Sequence, residues 1–257
     1  MSAETGGPRA GFAAEVQSLL RSHRSIRRFR TEPLSDEALA AIVGAGLSAA
    51  TSSNLQATTV IRVRDPEVRA AISEVTGGQQ QVLTAGAFTV WCADLHRTRR
   101  ACAAAGGSMT SGMTEQFIIA TVDVALAAQN AVVAAEAMGL GICYIGAIRN
   151  DPQVVADHLA LPDDVYPVFG LCIGVPDEDP EVKPRLPIDV VLKDDVYEWD
   201  GEAERIADYD RTMRDYYRTR SGGRKDSSWT EEMARLVDGE RRPHMRSFLA
   251  ERGFELR

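Results

Sequence analysis

The stretch Ser-His-Arg-Ser-Ile-Arg-Arg-Phe-Arg, residues 22–30, is the part of the sequence around which the rest is organised. It places four arginines and one histidine in a chain whose formal net charge is -8. Such a cluster repels itself unless an anion lies among the side chains, and the planar guanidinium group fits phosphate oxygens two at a time. Because Ile26 and Phe29 interrupt the charge, the stretch can be anchored to a core while its polar side chains reach one ligand. The alternative is a solvated basic turn between two helices.

Length and composition restrict the class of protein. The chain has 257 residues, of which 44% are hydrophobic, and this is enough for a sizeable core. The net charge of -8 argues against nucleic acid as the main partner, since nucleic-acid binding calls for a basic face. Polar side chains interrupt the apolar run over residues 117–138, so we expect no membrane-spanning segment. The N-terminus lacks the apolar region of a signal peptide, and we predict a cytoplasmic protein.

The reactive side chains form none of the common catalytic or metal-binding motifs. The four cysteines include no Cys-x-x-Cys pair, and the four histidines show no metal-ligand spacing, so we predict no metal site. The sequence also lacks the glycine-rich dinucleotide fingerprint, the phosphate-binding loop of nucleotide hydrolases and the serine-hydrolase motif. We therefore predict no catalytic side chain, and expect a bound cofactor to supply the chemistry.

Periodicity and capping residues predict an alternation of helices and strands. Helices are expected over residues 12–21, 35–47, 66–75, 114–138 and 152–159, and strands over 58–63, 87–93, 142–145 and 166–175. The nearly continuous apolar character of 87–93 indicates burial on both faces. Residues 97–113 lack periodicity and are interpreted as a mobile loop or short helix over a site. Residues 189–192 are interpreted as one more short strand.

The composition changes beyond Tyr197, where charged residues dominate and three helices are expected, over 202–219, 229–239 and 243–252. The apolar content of this part is too low for a core of its own. We predict a loose N-terminal tail over residues 1–14. The rest, residues 15–257, is predicted to be a single domain that includes a helical C-terminal excursion at about 200–257.

The basic stretch resembles the His-Arg-Ser-Ile-Arg-x-Phe opening of the group A oxygen-insensitive nitroreductases, the NADPH-dependent flavin reductases that carry FMN. The resemblance covers roughly residues 16–257 and continues in the same order. It includes Ser-Ser-Asn-Leu-Gln at 52–56, Thr-Gly-Gly-Gln at 76–79, Tyr-Ile-Gly at 144–146 and Lys-Pro-Arg-Leu-Pro at 183–187. The resemblance implies an α+β fold, a nitroreductase-like α/β sandwich in which helices surround a mostly antiparallel central sheet. It also implies a domain-interlocked homodimer with two FMN sites at the subunit interface.

The same resemblance assigns cofactor-binding residues to several segments. The FMN phosphate is expected to be held by basic and hydroxyl side chains, namely His23, Arg24, Ser25, Lys183 and Arg185. Arg27 and Gln79 would reach the pyrimidine edge of the flavin, where a cation stabilises negative charge as the flavin is reduced. The flavin ring would be lined by four consecutive residues, Tyr144, Ile145, Gly146 and Ala147. The FMN of the partner subunit would be reached by Thr51, Ser52 and Ser53.

A second basic cluster surrounds the Ser-Gly-Gly break at residues 221–223. Arg220 matches the arginine with which the family recognises the 2′-phosphate of NADPH, and Arg224 and Lys225 follow closely in the sequence. A flexible loop with several cations can close on a diphosphate and an additional phosphate. We therefore expect the three side chains to bind NADPH.

The resemblance implies an NADPH-dependent FMN oxidoreductase with a ping-pong mechanism. NADPH would deliver hydride to the flavin, and nitroaromatics, quinones or free flavin would then take the electrons as small-molecule acceptors. One alternative is a flavin reductase that supplies reduced FMN to a partner monooxygenase. Another is a flavin-binding or flavin-sequestering protein with little turnover. The intact cluster at residues 220–225 speaks against the second alternative, since a flavin binder needs no NADPH site.

Overall fold

The computed structural model of the protein describes residues 10–257. The chain forms two compact units. The first comprises the chain up to Pro180 together with Arg242–Arg257, and the second comprises Glu181–Arg241. Residues 1–9 of the predicted tail lie outside the described residues, whereas residues 10–14 are helical. That residues 15–257 fold as a single domain stays a prediction.

Four strands of the first unit form one antiparallel sheet within the described residues. They are β1 (Thr58–Arg62), β2 (Ala87–Asp94), β3 (Gly141–Ile145) and β4 (Val165–Gly174), in the order β1-β2-β4-β3. The two central strands, β2 and β4, are buried almost throughout, which explains their continuous apolar sequence. The predicted antiparallel sheet and the burial of residues 87–93 are thereby confirmed.

Helices surround this sheet. The first unit contains α1 (Ala10–Arg21), α2 (Asp36–Gly46), α3 (Pro66–Val75), α4 (Gln80–Thr84), α5 (His96–Ala104), α6 (Thr114–Ala137) and α7 (Pro152–His158). The second contains α8 (Ile188–Val191), α9 (Glu202–Ser221) and α10 (Trp229–Val237), and α11 (Met245–Glu251) returns to the first. Side-chain caps fix three of the starts, because Ser35, Asp65 and Asp151 accept hydrogen bonds from the first backbone N–H groups of α2, α3 and α7.

The longest helix, α6, packs against α2 and the sheet. The two helices approach so closely that a Cβ atom on Gly46 would lie 2.8 Å from the carbonyl oxygen of Ala127. Among the described residues, α6 is the one helix long and apolar enough to cross a membrane, with a mean hydropathy of 1.8. A helix buried in a protein core has the same character, and one side of α6, with Val124, Ala128 and Val132, lies in the core.

Two predictions about irregular segments need correction or refinement. Residues 189–192 are not a strand, because Ile188–Val191 form α8, a short helix that Pro187 precedes and whose first turn carries Asp189. The region 97–113 consists of most of α5 followed by a loop, which agrees with the short helix that was one of the two interpretations of this region. That this region covers a site stays a prediction.

The second unit has a small apolar cluster of its own, contrary to the expectation from its composition. The cluster is formed by aromatic and sulfur side chains on one side of α9, namely Tyr209, Met213, Tyr216 and Tyr217. Ser228 caps α10, and the hydroxyl of Tyr209 donates to the carbonyl of Pro184 at 2.9 Å. Aromatic rings bury a large area each, so a few suffice where aliphatic residues are rare.

The basic stretch lies along the edge of the sheet. Ser25 pairs with Ile142 of β3 in a parallel bridge, and the N–H of Ile26 donates to the carbonyl of Ile142 at 2.8 Å. Ile26 and Phe29 are buried, which confirms that they anchor the stretch. Gly141 makes this close approach possible, since a Cβ atom there would lie 2.7 Å from Cγ1 of Ile26.

Candidate functional site

The polar side chains of the basic stretch meet carboxylates from two other parts of the first unit. Nδ1 of His23 lies 2.7 Å from Oε1 of Glu136, which belongs to the last turn of α6. Both side chains are largely buried, with 24% and 13% of their surface exposed. A carboxylate on one ring nitrogen fixes the orientation of an imidazole, so that a ligand contact falls to Nε2.

The segment after β4 supplies two further carboxylates. Oε1 of Glu178 accepts the backbone N–H groups of Arg27 at 2.5 Å and Arg28 at 3.1 Å. Asp179 accepts a hydrogen bond of 2.5 Å from Nη2 of Arg24 and is itself mostly exposed. The backbone donors of Arg27 and Arg28 are thus engaged internally, and the anion-binding capacity of the stretch resides in its side chains.

A cavity of about 350 Å³ opens beside the stretch. Its lining includes Ser22 and Arg24 of the stretch, Glu136 and Gly141. It therefore combines one cation and a hydroxyl group with three carboxylates, because Glu178 and Asp179 also line it, and with the backbone of two glycines. Arg24 is the cation of this lining, and a phosphate group would have to compete with Asp179 for it.

The end of β3 brings a second predicted segment close to the basic stretch. Tyr144 is half-buried, its ring packs edge-on against Phe169 at 5.0 Å between centroids, and burial raises the pKa of its hydroxyl. Ile145 is buried, whereas Gly146 and Ala147 are half-buried at the start of a 3-10 turn. Since β3 bonds to the stretch at Ile142, these residues continue the same edge of the sheet.

The turn before α4 carries the predicted glutamine. Oε1 of Gln79 accepts a hydrogen bond of 2.7 Å from Nε2 of the buried Gln81, and Nε2 of Gln79 donates to the carbonyl of Thr76 at 3.3 Å. Gln81 and Arg27 both lie near enough to the thiol of Cys143 to lower its pKa, although burial raises that pKa overall. Gln79, Arg27 and β3 therefore belong to one neighbourhood.

The predicted hydroxyl residues lie in a loop at residues 51–56, which we call the hydroxyl loop. Its backbone is unusual, because Ser53, Asn54 and Gln56 all have positive φ angles. The loop is fixed to the middle of α6, where the buried Asp123 accepts hydrogen bonds from the hydroxyl of Thr51 and the N–H of Ser52. The loop and the basic stretch are thus attached to α6 at different places.

The separation of these two attachments follows from helix geometry. Asp123 holds the hydroxyl loop, and Glu136 holds His23 of the basic stretch. Thirteen residues of α-helix separate the two carboxylates, which corresponds to about 20 Å along the axis. One protomer therefore presents the loop near the middle of α6 and the stretch at the C-terminal end of the same helix.

The other predicted residues lie in the second unit. Lys183 and Lys225 both contact the ring of Tyr217, with Nζ at 5.4 and 4.0 Å from its centroid. The structure thus places together two lysines for which the resemblance implies different ligands, FMN for Lys183 and NADPH for Lys225. Arg185 is exposed on the arm that leads to α8.

Arg220 is exposed at the end of α9, where its Nη1 donates to the hydroxyl of Tyr216 at 3.2 Å. Other arginines of this cluster form ion pairs within the unit, since Arg214 and Arg218 both contact Asp226. Lys225 pairs with Glu232 at 3.0 Å, and Arg224 is exposed in the loop after α9. An arginine whose planar face lies against an aromatic ring keeps the N–H groups at the edge of its guanidinium oriented for a phosphate group.

Four functional candidates were not predicted from the sequence: Gln81, Asp123, Glu136 and Glu178. Two of them carried a recognisable signal, since Asp123 and Glu136 are the acidic residues of the largely apolar α6 beyond its first turn. A charged residue on an apolar helix needs a partner, and here the partners are the predicted site residues. Glu178 and Gln81 gave no such signal, because their partners are distant backbone groups or a neighbouring amide.

The family of the chain follows from its architecture and from its similarity to known proteins. A helix-covered antiparallel sheet with a basic stretch on its edge defines an α+β protein. The model of the nitroreductase family matches residues 20–175, and the model of the nitroreductase family C-terminal domain matches residues 183–257. The chain belongs to the nitroreductase family, as its motifs predicted.

Individual relatives match almost the whole chain. A Cr(VI) reductase of Pseudomonas sp. is 41% identical over 239 residues, which are 93% of this chain and 98% of the relative. An oxygen-insensitive NADPH nitroreductase of Salmonella typhimurium is 40% identical with the same coverage. The solved structure of the NADPH:FMN oxidoreductase from Vibrio harveyi, in complex with NAD+, is 37% identical with a TM-score of 0.86 and covers 94% of this chain and 99% of that chain. The predicted nitroreductase fold is thereby confirmed.

Proposed function

We propose that the protein is an FMN-dependent oxidoreductase that transfers hydride from NADPH to small-molecule acceptors such as nitroaromatics, quinones or free flavin, by a ping-pong mechanism. The observation that carries the proposal is the presentation of His23, Arg24 and Arg27 from one anchored stretch on the edge of the sheet. Family membership and the names of the relatives support the choice of ligand. FMN held by these residues would supply the redox chemistry between NADPH and the acceptor.

The residues of the stretch have separate tasks in this proposal. Arg24, with His23 and Ser25, binds the phosphate group of FMN, with Lys183 and Arg185 as further cations. The exposed Arg27 places a positive charge at the pyrimidine edge, where it stabilises negative charge that develops on reduction. Gln79 has its amide oriented by Gln81, as a preorganised hydrogen-bonding group must be.

The ring-binding surface is assigned to the end of β3, at Tyr144, Ile145, Gly146 and Ala147. Ala147 leaves little side-chain bulk there, so that a planar ligand can approach the backbone, whereas the guanidinium group of Arg149 lies 3.1 Å from where a Cβ atom of Gly146 would be. None of these side chains needs to act as an acid, base or nucleophile. Their task is to bind, to orient and to exclude water.

We further propose a homodimer in the cytoplasm, in which Thr51, Ser52 and Ser53 of one protomer contact the FMN held by the other. The separation of about 20 Å between the attachments of the loop and the stretch on α6 supports this arrangement. Exposed apolar side chains on α6, namely Ile118, Val122 and Leu126, offer a surface for a second protomer. Nucleic acid and membranes are not partners in this proposal.

The first experiment is the visible absorption spectrum of the purified, desalted protein before and after one equivalent of NADPH without oxygen. We expect oxidised flavin bands near ~450 nm that bleach on addition of NADPH. Arg24→Ala should be purified with less bound FMN, because a phosphate contact is removed. Arg64→Ala, which loses an exposed ion pair with Asp36, is the control for a loss of charge elsewhere.

The other outcomes separate the alternatives. A colourless protein that cannot be reconstituted with FMN would contradict the proposal. Flavin bands that persist under NADPH would favour a flavin-binding protein with little turnover. Rapid turnover with free FMN and poor turnover with quinones would favour a supplier of reduced FMN to a monooxygenase.

A further inference from the structure

Asp123 is a deeply buried carboxylate that contacts the hydroxyl loop, with 3% of its surface exposed. Three donors converge on it. Oδ2 accepts from the hydroxyl of Thr51 and from the N–H of Ala57 at 3.1 Å, and Oδ1 accepts from the N–H of Ser52 at 3.2 Å. Oxygen Oγ1 of Thr51 in turn accepts the N–H of Gln56 at 2.9 Å. One carboxylate thus fixes both ends of the hydroxyl loop.

Burying the carboxylate of Asp123 on α6 costs free energy of folding. A buried carboxylate loses hydration, and the loss is offset only where hydrogen bonds or a cation replace the water. Among the described residues no lysine, arginine or histidine forms an ion pair with Asp123, and its partners are one hydroxyl and two backbone N–H groups. Hydrogen bonds to an ionised acceptor are about twice as strong as neutral ones, so the loop is held firmly.

The loop needs such a restraint because its backbone is strained. Ser53, Asn54 and Gln56 have φ angles of 48°, 57° and 54°. These lie in the left-handed region, which is unfavourable for residues other than glycine. Conformations of this kind persist only where the surroundings enforce them, and they concentrate at functional sites. Asp123 is the group that enforces them at both ends of the loop.

We propose that Asp123 is a positioning residue that holds the hydroxyl loop in its strained conformation, so that Thr51, Ser52 and Ser53 are preorganised for the cofactor of the neighbouring protomer. This inference rests on the proposed function. It adds to it a residue that touches no ligand and acts through the hydrogen bonds that it accepts from the loop. Preorganisation raises affinity because the loop loses less conformational freedom on binding.

The test is the dissociation constant of FMN, measured by fluorescence titration of the full-length protein stripped of FMN. In Asp123→Asn the amide oxygen can still serve Thr51 and Ala57, but its NH₂ group faces the N–H of Ser52, donor against donor. The substitution therefore releases one end of the loop and leaves the other. We expect the dissociation constant of FMN to rise about tenfold, which matches the loss of one strong hydrogen bond.

The matched control is Asp164→Asn. Asp164 is also buried and accepts hydrogen bonds of 2.5 and 2.8 Å from Arg99, but it does not contact the hydroxyl loop. Both substitutions should lower the melting temperature, whereas only Asp123→Asn should weaken FMN binding. Equal losses of affinity in the two variants would overturn the inference, because the effect would then reflect general destabilisation.

A second variant tests the mechanism through the backbone. Gln56→Gly in the Asp123→Asn protein removes a side chain that disfavours positive φ, so the loop should regain its conformation and part of the lost affinity. No recovery would overturn the role of Asp123 in enforcing this backbone. If wild type binds FMN and Asp123→Asn binds it equally well, only this inference fails. If wild type binds no FMN, the proposed function fails with it.

Discussion

Arg220 offers a test of electron-donor binding at the scale of one residue. Its guanidinium group is exposed at the end of α9 and lies over the ring of Tyr216 at 5.9 Å. Replacement by alanine should raise the KM for NADPH about tenfold, because a charged hydrogen bond to the 2′-phosphate is lost. The FMN content should stay unchanged. Steady-state kinetics with NADPH and the flavin absorbance of the same preparations measure both quantities.

The matched control is Arg211→Ala. Arg211 is an exposed arginine of the same helix that pairs with Asp208. Its removal changes the net charge equally, so the KM for NADPH should stay close to the wild-type value. If both variants behave alike, the effect of Arg220 is one of general charge and its assigned contact is wrong.

Cys92 gives a prediction for the pH dependence of stability. It is fully buried in β2, and burial raises the pKa of its thiol from 9.0 to about 12. Between pH 9 and about pH 12 the thiol of Cys92 keeps its proton in the folded state and loses it in the unfolded chain. The free energy of unfolding is therefore highest below pH 9 and falls as the pH rises toward 12.

Urea unfolding at about pH 8 and about pH 10 measures this fall. Cys92→Ala should show a shallower decrease than wild type, because one ionising group is removed from the unfolded state. Cys102, which is only half-buried on α5, provides the control, and Cys102→Ala should follow the wild-type slope. A wild-type slope in Cys92→Ala would show that other groups, such as the buried tyrosines, dominate the alkaline range.

Single residues were predictable from the sequence where a motif or an anomaly marked them. Ile26 and Phe29 were correctly expected to be anchors because they interrupt a charged run. Glu178 was not found, since its importance depends on a chain reversal that brings it to the N–H of Arg27. A polar contact between segments some 150 residues apart leaves no periodic pattern in a single sequence.

The contact between the basic stretch and β3 is the feature to test at the scale of secondary structure. A Cβ atom on Gly141 would meet both Cγ1 and Cβ of Ile26, at 2.7 and 2.9 Å. Gly141→Ala should therefore push the stretch away from the sheet. We expect a loss of about 1–3 kcal/mol in stability together with weaker FMN binding. Thermal unfolding and FMN titration of the variant measure both effects.

Gly44→Ala is the corresponding control. Gly44 is exposed in the interior of α2, and a Cβ atom there meets no atom within 4 Å. Alanine should stabilise this helix by up to about 1 kcal/mol and leave FMN binding unaffected. If Gly141→Ala binds FMN as tightly as Gly44→Ala, the position of the stretch on the sheet does not matter for the ligand.

Secondary structure was predictable wherever periodicity or burial was strong. The strand at 87–93 and the helix at 114–138 were correct to within a residue, because eight or more residues share one pattern. The strand predicted at residues 189–192 was wrong, since three apolar residues after an aspartate fit a strand or a helix equally well. The helix Gln80–Thr84 was missed because its five residues are too few to show a helical period.

At the scale of the whole molecule, the proposed exchange of hydroxyl loops can be tested by mixing two defective variants. Arg24→Ala impairs the phosphate contact, and Ser52→Glu places a negative charge on the exposed loop. Each homodimer should bind little FMN. In a mixed dimer one site combines an intact stretch with an intact loop, so random mixing should restore about one quarter of all sites.

FMN binding after co-refolding or co-expression of the two variants measures this restoration. Mixing either variant with itself provides the baseline. If the loop served its own protomer, every site in a mixed dimer would carry one defect, and no FMN binding would be regained. Absence of restoration would thus contradict the proposed arrangement of the dimer, while leaving the FMN contact of Arg24 open to its own test.

Collinear motifs predicted the family, and with it a mostly antiparallel sheet, whereas the strand order β1-β2-β4-β3 was not predicted because no local pattern gives it. The assembly of protomers, in contrast, could not be predicted from helix patterns. The apolar residues Phe12, Leu20 and Ile118 are exposed on the protomer, yet in the sequence they are indistinguishable from core positions of amphipathic helices. A single sequence thus predicts which helix faces are apolar but not whether the same chain or a second copy covers them.

The parallel bridge between Ser25 and Ile142 also affects solubility. β3 is a terminal strand of the sheet, and an unpaired strand edge is a template for pairing with other chains. The basic stretch covers part of that edge with hydrogen bonds and surrounds it with arginines, which resist intermolecular β-pairing. A truncation that removes the chain up to residue 30 would expose this edge, so aggregation would accompany the loss of the anion-binding side chains.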